Sequence, residues 1–198
     1  MLVDIDLLLS YNGFTETYDP SNVIFKEGDI PRFYYQVISG SVKLNHIGED
    51  KKELIQSILH EGQSVCELLS FIDDPFPVNA IAMSECTILK VPKPEFLQLL
   101  DEHHEAAISV RKFIAKRLYH KFIMMQNNSS KYSHVRVKGI LAYFKSFSDD
   151  QSPYSYEVPL TRKQLAAITD LRIETVIRTV KKMESEKLLE IRKGKIYF

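Results

Sequence analysis

Residues 161–178, TRKQLAAITDLRIETVIR, carry two apolar stripes of helical period with only a short break between them. Thr161 is a good N-cap for a helix over 163–168 that turns Leu165 and Ile168 inward, and Thr169, Asp170 and Leu171 supply the turn. A second helix is expected to begin near Arg172, with Val176, Val180 and Met183 inward. Neither helix is long enough to stand alone, so the two must pack on each other and on a further element. Small Ala166 and Ala167 let them come close. Arg172, Ile173, Glu174, Thr175 and Arg178 are then expected to point outward, from a helix short enough to enter a major groove. This is the pattern of a helix-turn-helix.

The stretch that follows, KLLEIRKGKIYF, reads as a β-hairpin turning at Lys193-Gly194, with Arg192, Lys193 and Lys195 near its tip. Such a basic wing can lie along phosphates. The formal net charge of the chain is zero, but residues 1–131 hold 13 Lys and Arg against 18 Asp and Glu, whereas residues 132–198 hold 13 against 8. The two parts thus carry −5 and +5, which points to the C-terminal part as the one that meets a polyanion.

The N-terminal part has a different period. NVIF, FYYQVI, SVKLNHI, ELIQSIL, NAIAM and CTILKV are short apolar or β-branched runs. They are separated by turn residues around Gly28, Gly40, Gly48-Glu49-Asp50 and Gly62, and Pro92 stops the last. Strands at this spacing fit an antiparallel sandwich or jelly roll. From Pro94 the period becomes helical. Ala107, Val110, Ile114, Leu118, Phe122 and Met125 recur every three or four residues, with Ile108, Phe113 and Ile123 widening the stripe. That width exceeds what packing on one sheet requires, so a partner helix is expected on Val110, Ile114, Leu118, Phe122 and Met125; the alternative is a helix buried within one subunit. NNSSKYSH, residues 127–134, is polar punctuation, after which VRVKGILAYFKSF forms another helix with Val137, Ile140, Leu141 and Phe144 inward and SDDQSPYS forms a loop. The expected divisions are therefore 1–102, a β roll; 103–131, a dimerisation helix and hinge; and 132–198, a winged helix-turn-helix. The fold class is α+β.

Several classes of function are disfavoured. No apolar run is long enough to cross a bilayer, and MLVDIDLLLS carries Asp4 and Asp6 with no basic start, so a cytoplasmic chain without membrane contact is expected. Cys66 and Cys86 lack any C-x-x-C spacing and read as small buried residues. His103, His104 and His120 read as exposed or capping residues rather than metal ligands. No nucleophile–base pair, metal spacing or phosphate-cradling glycine loop points to an enzyme. A ligand-binding module whose helical C-terminal part contacts protein remains as an alternative to a DNA reader.

LTRKQLAAITDLRIETVIRTVKKMESEKLLEI and VIFKEGDIPRFYYQVISGSVKL together resemble the cyclic AMP receptor protein and fumarate–nitrate regulator (Crp/Fnr) superfamily of transcription factors. The resemblance implies a cyclic-nucleotide-binding-type jelly roll, a long helix paired in a homodimer, and two recognition helices on a near-palindromic DNA site. It implies partners in double-stranded DNA, a second copy of the chain and RNA polymerase. Thr161, Arg162, Glu174, Thr175 and Arg178 match the family's helix-turn-helix. By that match Glu174 accepts from a base amino group and Arg178 donates to guanine, while Arg172 and Thr175 add a base or phosphate contact. Ile173 departs from the arginine of the cyclic AMP type, so the site read should differ while keeping a G·C pair opposite Arg178.

The effector cassette departs further. In GQSVCELLSFIDDPFPVNAIA, Glu67 keeps the family's glutamate, but Cys66 stands in place of its glycine, and Pro77 and Val78 stand where phosphate ligands belong. A cyclic phosphate buried there without a guanidinium would cost several kcal/mol, so tight binding of cyclic AMP is not expected. No cofactor or metal is expected either. Asp73, Asp74, Pro75 and Pro77 read as a rigid surface loop.

Overall fold

The computed structural model describes residues 2–49, 51–146, 148 and 150–198; Asp50 of the expected turn and Asp149 of the expected loop lie outside the described residues. The chain divides into two compact units, Met1–Lys116 and Arg117–Phe198.

Among the described residues of the first unit, α1 (Ile5–Ser10) precedes seven strands: β1 (Phe14–Tyr18), β2 (Val23–Phe25), β3 (Phe33–Ser39), β4 (Ser41–Ile47), β5 (Glu53–His60), β6 (Asn79–Ala82) and β7 (Cys86–Pro92). They form two antiparallel sheets, ordered β1-β7-β3 and β2-β6-β4-β5. One core fills the space they share, with Tyr35, Val37 and Ile88 from the first sheet meeting Phe25, Val42, Leu44 and Ala80 from the second. The other face of the three-stranded sheet, through Tyr34, Leu89 and Val91, packs on Leu8 of α1 and on Phe96 and Leu99 of α2 (Lys93–Glu102). Covered on both faces, β3 and β7 lose the alternation of a half-exposed strand. Gly40 joins β3 to β4 at φ +82°, where a Cβ would lie 2.3 Å from the Glu85 carbonyl oxygen, so only glycine fits this close approach.

The six expected strands appear as β2 to β7, and α1 and β1 add to them. The long helix is α3 (His104–Asn128), separated from α2 at His103, whose backbone leaves the helical region. His103 thus serves as a cap and His104 is exposed; His120 is half-buried beside the Tyr143 ring. Cys66 and Cys86 are both buried.

The second unit carries α4 (Ser133–Lys145), α5 (Arg162–Thr169), α6 (Ile173–Ser185) and the hairpin β8 (Glu190–Arg192) and β9 (Lys195–Tyr197). Its core gathers the expected Val137, Ile140, Leu141 and Phe144 of α4 with Leu165, Ile168, Val176, Val180 and Met183. Gly139 lies where a Cβ would strike the Asn127 side chain, so a bare backbone on α4 admits the end of α3. Among the described residues, no helix is long and apolar enough to cross a membrane.

Candidate nucleic-acid interface

A capping box starts α5: the Gln164 amide donates to Thr161 Oγ1 at 3.2 Å, and the Thr161 amide donates to Gln164 Oε1 at 2.8 Å. The helix ends at Asp170, which takes the left-handed conformation at φ 54°, and the amides of Asp170 and Leu171 both turn back to the Ala166 carbonyl. The last two carbonyls of the helix are also met, Ile168 by Asn128 Nδ2 at 3.2 Å and Thr169 by Arg136 Nη1 at 3.3 Å. The break between the helices is therefore held by hydrogen bonds from α3 and α4 as well as by its own residues.

Arg172 is the N-cap of α6, and its first two turns expose Ile173, Glu174, Ile177 and Arg178. The opposite face buries Val176, Val180 and Met183, and Thr179 Oγ1 shares a 2.8 Å hydrogen bond with Ser133 Oγ. Thr175 is half-buried rather than outward, because it sits on the flank of the buried face. Arg162 is half-buried too; burial lowers its pKa, opposed by the nearby Glu184 carboxylate. Thr161 is exposed, with its side chain committed to the cap.

The wing turns at Lys193 and Gly194, at φ 48° and 80°, the two positive values that a tight hairpin of this twist needs. Its root is fixed to α6 by the Ile191 amide, which donates to Glu184 Oε1 at 3.1 Å. The three expected phosphate contacts differ in state. Arg192 pairs with Glu190, its Nε donating at 2.8 Å, and Lys195 pairs with Glu157, which raises the pKa of the lysine and lowers that of the carboxylate. Lys193 is exposed at the tip. The cationic tip is therefore partly neutralised by its own unit.

Two family models match this chain in succession: a cyclic nucleotide-binding domain over residues 15–103 and a Crp-like helix-turn-helix domain over residues 135–198. The chain belongs to the Crp/Fnr superfamily. Among curated relatives, the global nitrogen regulator of Synechocystis is 26% identical over 188 residues, 91% of this chain and 82% of that protein. The cAMP-activated global transcriptional regulator CRP of Salmonella typhimurium is 22% identical over 174 residues, 87% of this chain and 83% of that protein. Among solved structures, the c-di-GMP responsive regulator CLP of Xanthomonas campestris superposes with a TM-score of 0.76 at 21% identity, covering 98% of this chain and 97% of that one. This Crp/Fnr protein is accordingly a DNA-binding transcription regulator.

The dimerisation residues expected of a Crp/Fnr regulator are not equally placed. Val110 is fully buried in the first unit's core and Ile114 packs partly against it, so a second chain cannot reach Val110. One periodic stripe is thus buried at its start and exposed further along. Leu118, Phe122 and Met125 are exposed by 52%, 56% and 66%, joined by Tyr119 and Ile123.

At the effector cassette, Cys66 adopts φ 54°, ψ 38°, the left-handed conformation suited to the glycine it replaces. Glu67 is buried and accepts from Ser64 Oγ at 2.7 Å. Val78 is buried in the roll core, and the Phe76 ring stacks on Phe25 with centroids 3.6 Å apart. Residues 62–82 contain neither Lys nor Arg. A cyclic phosphate does not fit this set: the carboxylate is already bonded, the cassette offers no cation, and apolar side chains fill the interior beside it.

Proposed function

We propose that the protein acts in the cytoplasm as a homodimeric regulator whose DNA contacts are carried by α6, and that it works without cyclic AMP and has no enzymatic activity. The observation that carries this reading is the exposure of Glu174 and Arg178 on the first two turns of a helix whose other face is closed. Arg178 donates to guanine, Glu174 accepts from a base amino group, and Arg172 and Thr175 add contacts at the groove edge. Thr161, Arg162 and Lys193 touch phosphates, with Arg192 and Lys195 contributing once they exchange their carboxylate partners for the backbone. The exposed Leu118, Phe122 and Met125 stripe supports pairing through α3, and pairing places two copies of α6 on half-sites about one helical turn apart. RNA polymerase is the partner such a bound dimer would address.

Gel shifts on duplexes enriched from a random pool, repeated across salt concentrations, test the reading. Affinity should fall steeply and linearly on logarithmic axes as counterions are released. A flat salt response would refute DNA reading. Calorimetric titration with cyclic AMP should show no micromolar or tighter binding; if it does, effector independence fails while the DNA-binding reading stands.

A further inference from the structure

Ile173 and Ile177 are exposed by 39% and 40%, one turn apart on α6. They occupy the strip between the buried Val176 and Val180 and the exposed Glu174 and Arg178. Local structure gives no reason for them, because β-branched residues are weaker helix formers than the alternatives open to an exposed position. Nor does the unit's core use them fully, since the same helix buries Val176 and Val180 completely. Their neighbours are Arg172, Arg178 and Lys181, all exposed. An apolar strip bordered by cations suits a ligand that is anionic along its rails and apolar at defined points between them.

A DNA major groove has that character: phosphates along both edges, and the C5-methyl of thymine as the apolar group on a base edge. From these residues we infer that Ile173 and Ile177 are specificity-determining residues that read thymine methyl groups beside the G·C pair taken by Arg178. This rests on the proposal that α6 lies in the major groove. Four residues of helix rise about 6 Å, and base pairs along one strand are about 3.4 Å apart, so the two side chains address thymines about two steps apart. The isoleucines thereby supply sequence preference where polar side chains would supply hydrogen bonds. Selection comes from methyl burial, which a cytosine or purine at the same position cannot provide.

The test uses the full chain and half-sites enriched from a random duplex pool, in which each thymidine near the Arg178-dependent G·C pair is replaced by deoxyuridine. This removes only the methyl group and keeps Watson–Crick pairing. Each methyl lost should weaken binding about fourfold. Ile177→Ala should abolish the thymine-over-uracil difference at one position and Ile173→Ala at another, whereas Ile177→Val should retain it. Circular dichroism melts confirm that these half-exposed substitutions leave the fold intact. The inference is overturned if no thymine is enriched there, or if uracil costs the variants as much as the unaltered protein. Loss of the Arg178 dependence and of the salt slope as well would mean that the DNA-reading proposal itself is wrong; their retention with uracil tolerated would sink the isoleucine reading alone.

Discussion

Asn128, the last residue of α3, donates from Nδ2 to the carbonyl of Ile168 in the last turn of α5 at 3.2 Å. Arg136 of α4 makes the matching bond to Thr169, while its Nε donates to the Ser130 carbonyl at 2.6 Å. The final carbonyls of a helix have no partner within it, so these two side chains complete the turn that aims α6. They also tie the end of α3 and the residues that follow it to the turn before α6. Asn128→Ala and Arg136→Ala should each destabilise the second unit by about 1 kcal/mol, lowering its thermal midpoint by a few degrees. Unchanged melts for both would show that the turn holds itself.

On α6 and the wing, base reading and charge should separate. Arg178→Ala is expected to cost about 1–3 kcal/mol on the best site and to relax preference at one base pair. Lys193→Ala should weaken all duplexes alike and reduce the salt slope by about 0.9. Arg192→Ala and Lys195→Ala should have smaller effects than Lys193→Ala, since Glu190 and Glu157 already hold those cations. Competition gel shifts across salt concentrations measure all four. Equal effects of Arg178→Ala and Lys193→Ala on every sequence would erase the distinction between reader and clamp.

Legibility in the sequence follows from how local each signal is. Strands β2 to β7 are readable because each is an apolar run closed by turn residues, and the wing because Lys193-Gly194 can take the two left-handed conformations its turn requires. Strand β1 is not, since FTETY leaves four of its five residues exposed and so lacks an apolar pattern. The six-residue α1 is too short to show a period. On α3 the period is plain, but Val110 and Phe122 lie on one stripe, and only the tertiary fold buries the first and exposes the second. The pairing of Lys195 with Glu157 spans 38 residues, beyond any local pattern.

His60 gives the first unit a pH dependence. It ends β5, and burial lowers the pKa of its ring below the ordinary 6.5. The folded state therefore favours the neutral ring, and below pH 6.5 the unfolded chain takes up the proton more readily. The stability associated with the neutral ring is present above that pH and is lost as pH falls through the lowered folded value. Urea denaturation at pH 7.5 and 5.5 should show a drop on acidification, and His60→Gln should make that drop smaller. An identical drop in the variant would assign the effect to groups other than His60; Glu16 is not among them, because its pairing with Lys90 holds its pKa below the ordinary 4.5 and its contribution is lost only at more acidic pH.

The exposed half of the α3 stripe should set the oligomeric state, and the buried half should not. Phe122→Glu puts a charge onto the patch of Leu118, Phe122 and Met125. In a dimer this charge would meet its own copy in a desolvated seam, at a cost of several kcal/mol. Sedimentation velocity should then show a shift from dimer to monomer, with a much weaker hold on a two-half-site duplex and near-normal binding to a single half-site at high protein concentration. Val110→Ala instead opens space inside the first unit's own core, at a cost of roughly 1–3 kcal/mol, and should lower the melting temperature while leaving the dimer assembled. A dimer untouched by Phe122→Glu but dissociated by Val110→Ala would reverse the assignment, placing the seam against the first unit rather than along the helix beyond it.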